Sequence, residues 1–402
     1  MRCTSRRRRA VRCNSSRRQA MAKKAKQYRV GAIGFAHMHI NNVLGLFAQH
    51  PQVKLVGCAD TVPDRPELRE GPYTRGWNLK HALKDFGVPR AYGDYREMLA
   101  KEEFDIIVCC SENAKHPEVV EACAAAGVHV CVEKPMAMTM ADACRMVRAV
   151  RAAGTTLLVN WPMTWSPASR KAKALVDDGA IGHVLEIKWR GGHTGPLGSG
   201  AKHEGVTDEA APLTPTELGA TWWHYIHTGG GAMLDYCCYG AMFSYWVIGE
   251  MAVAAVGLRG NLNSPFGDAD DNGAMIVRFP GAMGLFEGSW TTWDHGVPYG
   301  PIIYGTTGVL VIEKARKGEG QQVREEHGSG GKTRIHQPYP LPRGRHNIAY
   351  EFIHHLETGD PVHATLDAGF NLNAQAILDA GLRSADSGKR ETVNTAPWCL
   401  GG

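Results

Sequence analysis

Between residues 28 and 160, short apolar runs alternate with segments long enough to be helices. The runs are Tyr28–Ile33, Val53–Ala59, Phe104–Cys110, the stretch after Gly127 up to Lys134, and Thr156–Asn160. Strands buried on both faces read as continuous apolar runs, and strands alternating with helices pair in parallel. This half is therefore predicted to be an α/β doubly wound parallel sheet. In such sheets, ligands bind beyond the carboxyl ends of the strands. The run Val128-His129-Val130-Cys131-Val132-Glu133 stops abruptly at Lys134-Pro135, which puts a lysine at that edge.

After residue 160 the pattern changes. Val184–Arg190, Ala252–Leu258, Ala274–Phe279, Gly284–Trp290, Ile302–Tyr304 and Val309–Ile312 read as strands, with Pro280-Gly281 at hairpin distance between two of them. An open, mainly antiparallel sheet follows, in an α+β domain. Helices are expected near Ala168–Asp177, Ala232–Trp246, Ala349–Thr358 and Leu366–Ser387, and a solvated loop over Lys314–Lys332. The chain of 402 residues is long for one core. The expected division is a basic disordered extension (1–27), a dinucleotide-binding domain (28–155), a substrate-binding and oligomerisation domain (156–390) and a tail (391–402).

The net charge of +5 reflects the N-terminus. Residues 1–20 hold eight arginines and no acid, and subtracting eight from +5 leaves a body of −3. Met21-Ala22-Lys23-Lys24 reads as an ordinary start, so residues 1–20 are expected to be an overlong N-terminus with no specific nucleic-acid role. No apolar stretch reaches the length of a membrane span. The eleven cysteines include no C-x-x-C pair, and several lie in apolar runs. That favours a reduced, cytoplasmic setting over a disulfide framework or structural zinc.

Gly34, Phe35, Ala36 and His37 occupy the turn where a phosphate-binding fingerprint belongs, with Ala36 in place of the second glycine and His39 in place of the third. Small residues there let backbone amides approach a pyrophosphate at a helix N-terminus. Asp60 ends the second run 26 residues after Gly34, near the spacing of the acid that binds ribose hydroxyls. A carboxylate there repels a 2′-phosphate, so NAD is favoured over NADP. His37 and His39, two apart, do not share a helix face and are not expected to bind metal.

With these motifs in place, the sequence resembles the glucose–fructose oxidoreductase / inositol dehydrogenase / MocA family. Ser111-Glu112-Asn113-Ala114-Lys115-His116 is similar to its T-P-N-x-x-H, keeping Asn113 and His116. Glu133-Lys134-Pro135 matches its E-K-P, Gly229 to Asp235 its G-G-G-x-x-x-D, and Tyr304-Gly305-Thr306-Thr307-Gly308 its G-T-x-G. The resemblance implies hydride exchange between NAD and a sugar, glycoside or cyclitol hydroxyl, with Lys134 beside nicotinamide and substrate. It also implies cofactor contacts from Ser111, Asn113, His116 and Glu133, and a homodimer or homotetramer.

A lysine whose pKa is lowered by desolvation or cationic neighbours can take a hydroxyl proton at neutral pH. The family's D-x-x-x-H reads here as Asp235-Tyr236-Cys237-Cys238-Tyr239, with tyrosine in the histidine position. The proton carriers weighed are therefore Tyr239 and, from Trp222-Trp223-His224-Tyr225-Ile226-His227, His224 or His227. A zinc set of His224, His227, Asp235 and His193 or His203 is the less favoured reading. Asn160, Trp161, Trp165, Trp222, Trp223 and Trp293 are candidates for the substrate face, because aromatic rings pack on the C–H faces of sugars. His295, Arg345 and His346 are further candidates for such contacts. Two alternatives stay open: a glycoside hydrolase or lyase that oxidises the sugar transiently and eliminates a substituent, and a non-catalytic NAD-binding sensor.

Overall fold

The computed structural model describes residues 26–197, 212–292, 300–315, 320–328 and 331–393. The arginine-rich residues 1–25, His203, Trp293, His295 and residues 394–402 lie outside this set.

The first half builds a six-stranded parallel sheet from β1 (Tyr28–Ile33), β2 (Val53–Ala59), β3 (Ala91–Tyr92), β4 (Ile106–Cys109), β5 (His129–Glu133) and β6 (Leu157–Asn160), in the order β3-β2-β1-β4-β5-β6. The order reverses at β1, between β2 and β4, which is the switch point where a doubly wound sheet opens a crevice. The crossovers are α1 (Ile40–Ala48), α2 (Arg75–Lys84), α3 (Tyr95–Lys101), α4 (His116–Ala125) and α5 (Met140–Ala153). β4 is fully buried, as its uninterrupted apolar composition requires, and β5 is buried from Val130 to Glu133.

The second half consists of α6 (Pro167–Asp177), β7 (Val184–Gly192), α7 (Pro215–Gly219), α8 (Ala232–Ile248), β8 (Ala254–Gly260), β9 (Asn272–Arg278), β10 (Met283–Ser289), β11 (Ile302–Gly305), β12 (Val309–Lys314), β13 (Gln321–Glu326), β14 (Arg334–His336), α9 (Ile348–Thr358), α10 (Ala368–Ser387) and β15 (Glu391–Thr392). The strands form one sheet in the order β14-β13-β12-β11-β7-β10-β9-β8-β15. Every pairing is antiparallel except β10 with β7. Helices α8 and α10 pack on one face. The other face carries Val256, Leu258, Ile276 and Met283 in exposed positions.

Four expectations need correction. The parallel sheet runs on to Asn160, because β6 pairs with β5, so the first domain does not end at 155. Its core is completed by Ile348, Ala349, Phe352, Ile353 and Leu366, which return from the far end of the chain to pack with Phe47 and Leu44. The segment Lys314–Lys332 is not all loop, since β13 lies within it with Gln322, Val323 and Glu325 buried. Charges of this strand are met by ion pairs, Arg324 with Glu313 and Glu325 with His327 and His336. Residues 391–392 of the expected tail pair with β8.

Buried imidazoles give this fold a definite response to acid. Burial lowers the pKa of His116, His224 and His363 to about 4 each. An unfolded histidine binds its proton near pH 6.5, so between about 4 and 6.5 the unfolded chain holds three protons the native state refuses. Asp270 acts in the opposite sense, its carboxyl raised by burial to about 6. His50, His129 and His193 are lowered by burial as well, and Glu67 and Glu112 are raised by burial along with Asp270. Depressed imidazoles thus outnumber raised carboxyls, and thermal unfolding midpoints should fall as pH drops from 6.5 towards 4. His116→Gln should flatten that slope in a calorimetric pH series. An unchanged slope would contradict the assignment to buried imidazoles.

Candidate active site

Three segments meet at the carboxyl edge of the parallel sheet. The first is the turn after β1. Gly34 has φ +87°, and a Cβ there would lie 2.5 Å from the Ser111 amide nitrogen, so close crossing of two loops demands glycine. Phe35 is buried in the core, and its amide donates to Asp60 Oδ1 at 2.9 Å. The His37 amide donates to the Cys110 carbonyl at 3.0 Å, and the Ala36 carbonyl accepts from Trp222 Nε1 at 3.1 Å. No side chain caps α1, and its first turn holds no acid, so the positive end of the helix is left for an anion. This chemistry fits a dinucleotide: a tight glycine turn running into a helix with no side-chain cap, and a carboxylate, Asp60, at the end of the neighbouring strand.

The second segment is the end of β5. Glu133 is buried, held by His39 Nδ1 at 2.9 Å and by Asn160 Nδ2 at 3.1 Å. Lys134 follows, also buried, through a cis bond to Pro135. The third is α8, whose entry is the triple glycine. Gly231 has φ +110°, and a Cβ on it would press to 2.6 Å from Asp270 Oδ1. The Gly229 carbonyl accepts from Asn113 Nδ2 at 2.7 Å, tying this entry to the loop after β4. One turn into α8 lies Asp235, and Lys134 Nζ donates to its Oδ1 at 2.6 Å. The other carboxylate oxygen accepts from Trp290 Nε1 at 3.3 Å.

The electrostatics of this pair reverse one expectation. Burial alone would lower the Lys134 pKa, but the charge of Asp235, with smaller contributions from Tyr239, Cys238 and Glu133, outweighs it and drives the value well upward. Burial would raise Asp235, and the Lys134 charge outweighs that too, holding the carboxyl below its usual range. The resting site is an ammonium–carboxylate pair, not a neutral amine.

The other candidates sort by position. Tyr239 turns its ring to Lys134, 4.9 Å from Nζ to centroid, stacks on Trp189 at 5.4 Å and meets Trp161 edge-on at 5.4 Å. Burial pushes its hydroxyl pKa well above the ordinary value, and the nearby cation faces the ring, so the geometry does not suit a proton carrier. His224 is buried against Phe266 and Trp290, and Trp290 stands between it and Asp235. It is neutral, with Nε2 lacking a partner, and does not reach the lysine pair. His227 is exposed, 3.7 Å from Asp64. Arg345 pairs with Glu351 and His346 packs on Tyr350, both remote from the lysine.

His116 is fully buried beneath the Lys134 turn, bonded to the Met136 carbonyl at 3.2 Å, and Ser111 is buried under Gly34. Both shape the site from behind. Asn160 receives Trp165 Nε1 at 3.1 Å while donating to Glu133, and Trp161 Nε1 donates to Asn371 Oδ1 at 2.7 Å. They are framework for the lysine strand, not an open substrate wall. Trp223 stacks on Trp222 at 3.9 Å and meets His37 at 4.8 Å, beside the cofactor turn.

Several site residues escaped sequence reasoning. Trp189 and Trp290 complete the aromatic surround. His193, weighed only as a metal ligand, ends the run beyond β7 beside Tyr236, 5.6 Å between rings. Arg75 and Glu112 flank Asp60. No group of three or more His, Cys, Asp or Glu gathers as a metal site among the described residues. No helix there is long and apolar enough to cross a membrane.

Comparisons with known proteins fit this geometry. Residues 28–161 match the model described as oxidoreductase family, NAD-binding Rossmann fold, and residues 169–311 match the GFO/IDH/MocA C-terminal domain. Myo-inositol 2-dehydrogenase of Thermotoga maritima is 27% identical over 293 residues, covering 70% of this chain and 78% of that one. D-xylose 1-dehydrogenase [NADP(+)] of Haloarcula marismortui is 30% identical over 191 residues, 47% of this chain and 49% of that one. An oxidoreductase from Agrobacterium radiobacter, solved in complex with NAD+, L-tartaric acid and magnesium, shares the fold with a TM-score of 0.68 at 20% identity, over 92% of this chain and 99% of that one. With both halves matched in order over more than half its length, the chain belongs to the GFO/IDH/MocA family of NAD-binding oxidoreductases.

Proposed function

We propose that the protein is an NAD-dependent dehydrogenase acting on a secondary hydroxyl of a sugar, glycoside or cyclitol in the cytoplasm. The observation that carries this reading is the pair of buried Lys134 with Asp235, 2.6 Å apart, at the sheet edge that also holds Gly34 and Asp60. Relatives named for inositol and xylose support a polyhydroxylated substrate. The eight described cysteines are all free and buried, in keeping with a reduced compartment.

Bound NAD supplies the hydride acceptor. The residues of the chain orient the hydroxyl and manage its proton. A hydroxyl within reach of Lys134 Nζ accepts a hydrogen bond, and negative charge developing on its oxygen is stabilised there, in a site screened from water. To take the proton itself, Lys134 must first become neutral. Asp235 makes that form scarce at pH 7, so it grows with rising pH. His193 Nδ1 accepts from the Gly195 amide at 2.9 Å, which puts the neutral ring's proton on Nε2. Burial lowers the His193 pKa, outweighing the nearby Asp235 charge, so the ring is a neutral donor that positions a substrate oxygen and not the base. Trp189 and Tyr239, stacked on each other and only partly buried, offer apolar surface for the C–H face of a ring.

We also place a second copy of the chain over the open sheet face. Leu258 is 74% exposed, Ile276 51% and Val256 46%, on adjacent strands. A contiguous apolar patch of this kind marks an association surface.

Three outcomes follow. With NAD+ and a panel of myo-inositol, xylose and methyl glucosides, NADH should accumulate for at least one, and Lys134→Met should cut kcat by about 10²–10⁴-fold while NAD+ still binds. Turnover without free NADH would favour internal recycling of the hydride, and no turnover of any polyol would remove the assignment. The oxidation rate should climb through the alkaline range, and Asp235→Asn should move that climb to lower pH. A limb that stays in place would mean Lys134 is not the titrating group. Finally, Leu258→Arg with Ile276→Arg should lower the mass seen by light scattering to that of one chain. An unchanged mass would place the interface elsewhere.

A further inference from the structure

Arg75 opens α2, 15 residues after Asp60, and its guanidinium is shared between two carboxylates. Nη1 donates to Asp60 Oδ1 at 2.6 Å and to the Thr61 carbonyl at 3.0 Å, and Nη2 donates to Glu112 Oε1. Glu112 is buried, its second oxygen accepting from Thr61 Oγ1 at 3.0 Å. A third acid, Glu67, accepts the Arg75 amide at 2.6 Å. Three carboxylates thus surround one cation. The side chain of Arg75 is 11% exposed and that of Asp60 19%, so the cluster lies just beneath the surface where the ribose carboxylate belongs.

A planar guanidinium is the side chain best matched to a phosphate, which it grips with two parallel N–H bonds. Here those N–H groups already face acids. Asp60 Oδ1 takes three donors, from Phe35, Thr61 and Arg75, and holds the guanidinium from one side. Glu112 holds it from the other. A cofactor with a 2′-phosphate would bring about two negative charges into a pocket already rich in them.

We propose that Arg75 is a latent phosphate receptor held shut by Asp60 and Glu112 together, so that this pair of acids, and not Asp60 alone, sets the preference for NAD over NADP. The inference rests on the NAD reading above. It assigns Glu112, on the loop after β4, and Arg75, at the start of α2, a joint role in cofactor selection. Releasing either carboxylate frees part of the fork, and releasing both converts a repulsive site into an attractive one. Burial raises the Glu112 pKa, while the Arg75 charge and the Thr61 hydroxyl bond act against that rise.

The test is equilibrium binding, read by calorimetry with NAD+, NADP+ and adenosine 2′,5′-bisphosphate as probes, independent of turnover. Glu112→Gln, which keeps the shape and removes the charge, should shift the NADP+/NAD+ affinity ratio towards NADP+ by about tenfold, the worth of one charge-assisted bond. Glu112→Gln with Asp60→Ser should shift it further and bring measurable bisphosphate binding. Adding Arg75→Ala should abolish both gains. An unshifted ratio in Glu112→Gln, or a gain that survives Arg75→Ala, overturns the inference while leaving the NAD reading intact. A wild-type chain that binds neither NAD+ nor NADP+ overturns the cofactor reading itself. Should Asp60→Ser fail to fold, the single Glu112→Gln comparison decides the matter alone.

Discussion

The ion pair between Lys134 and Asp235 is the contact around which the two halves of the molecule are arranged. Lys134 is buried and Asp235 largely so, and a buried charge without a partner is strongly destabilising, so each half imposes a position on the other. Lys134 comes from the tip of β5 and Asp235 from the first turns of α8. Bringing them to 2.6 Å requires the glycines before α8 to pass close to the loops of the first domain. It also requires the polar frame behind Lys134, in which Glu133 is held by His39 and Asn160, and Asn160 by Trp165. Much of the polar chemistry at this edge supports one amine.

The charges along the cleft follow a gradient of roles. At the end meant for the adenosine, acids outnumber the single guanidinium of Arg75. At the turn before α1, an uncapped helix end faces the middle of the cleft. At the reacting end, one cation and one anion balance, enclosed by aromatic rings that exclude water and strengthen their fields. Binding, bridging and proton management are thus assigned to separate electrostatic environments.

The alternation of apolar runs and helices made the first sheet legible in the sequence, because strands buried on both faces cannot hide their composition. The Lys134, Asp235 and Gly34 positions were legible because each combines an unusual residue with a fixed place in an element. The failures have physical causes. β13 was missed because its charged residues are neutralised by partners on other strands, which composition cannot show. The return of α9 to the first core is a long-range contact with no local signal. The direction of the Lys134 pKa depended on a competition between burial and one carboxylate 101 residues away. His227 and His224 carried the right chemistry in the right neighbourhood, but a single turn of backbone sends one to solvent and sets the other behind Trp290.

The most direct measurement is a crystal structure with NAD+ and a polyol substrate bound together. The account predicts the nicotinamide C4 and the carbinol carbon at reacting distance, about 3–3.5 Å, with the hydroxyl oxygen bonded to Lys134 Nζ and Asp235 close behind. A nicotinamide ring lodged away from β5, with the Lys134–Asp235 pair touching only protein, would contradict it.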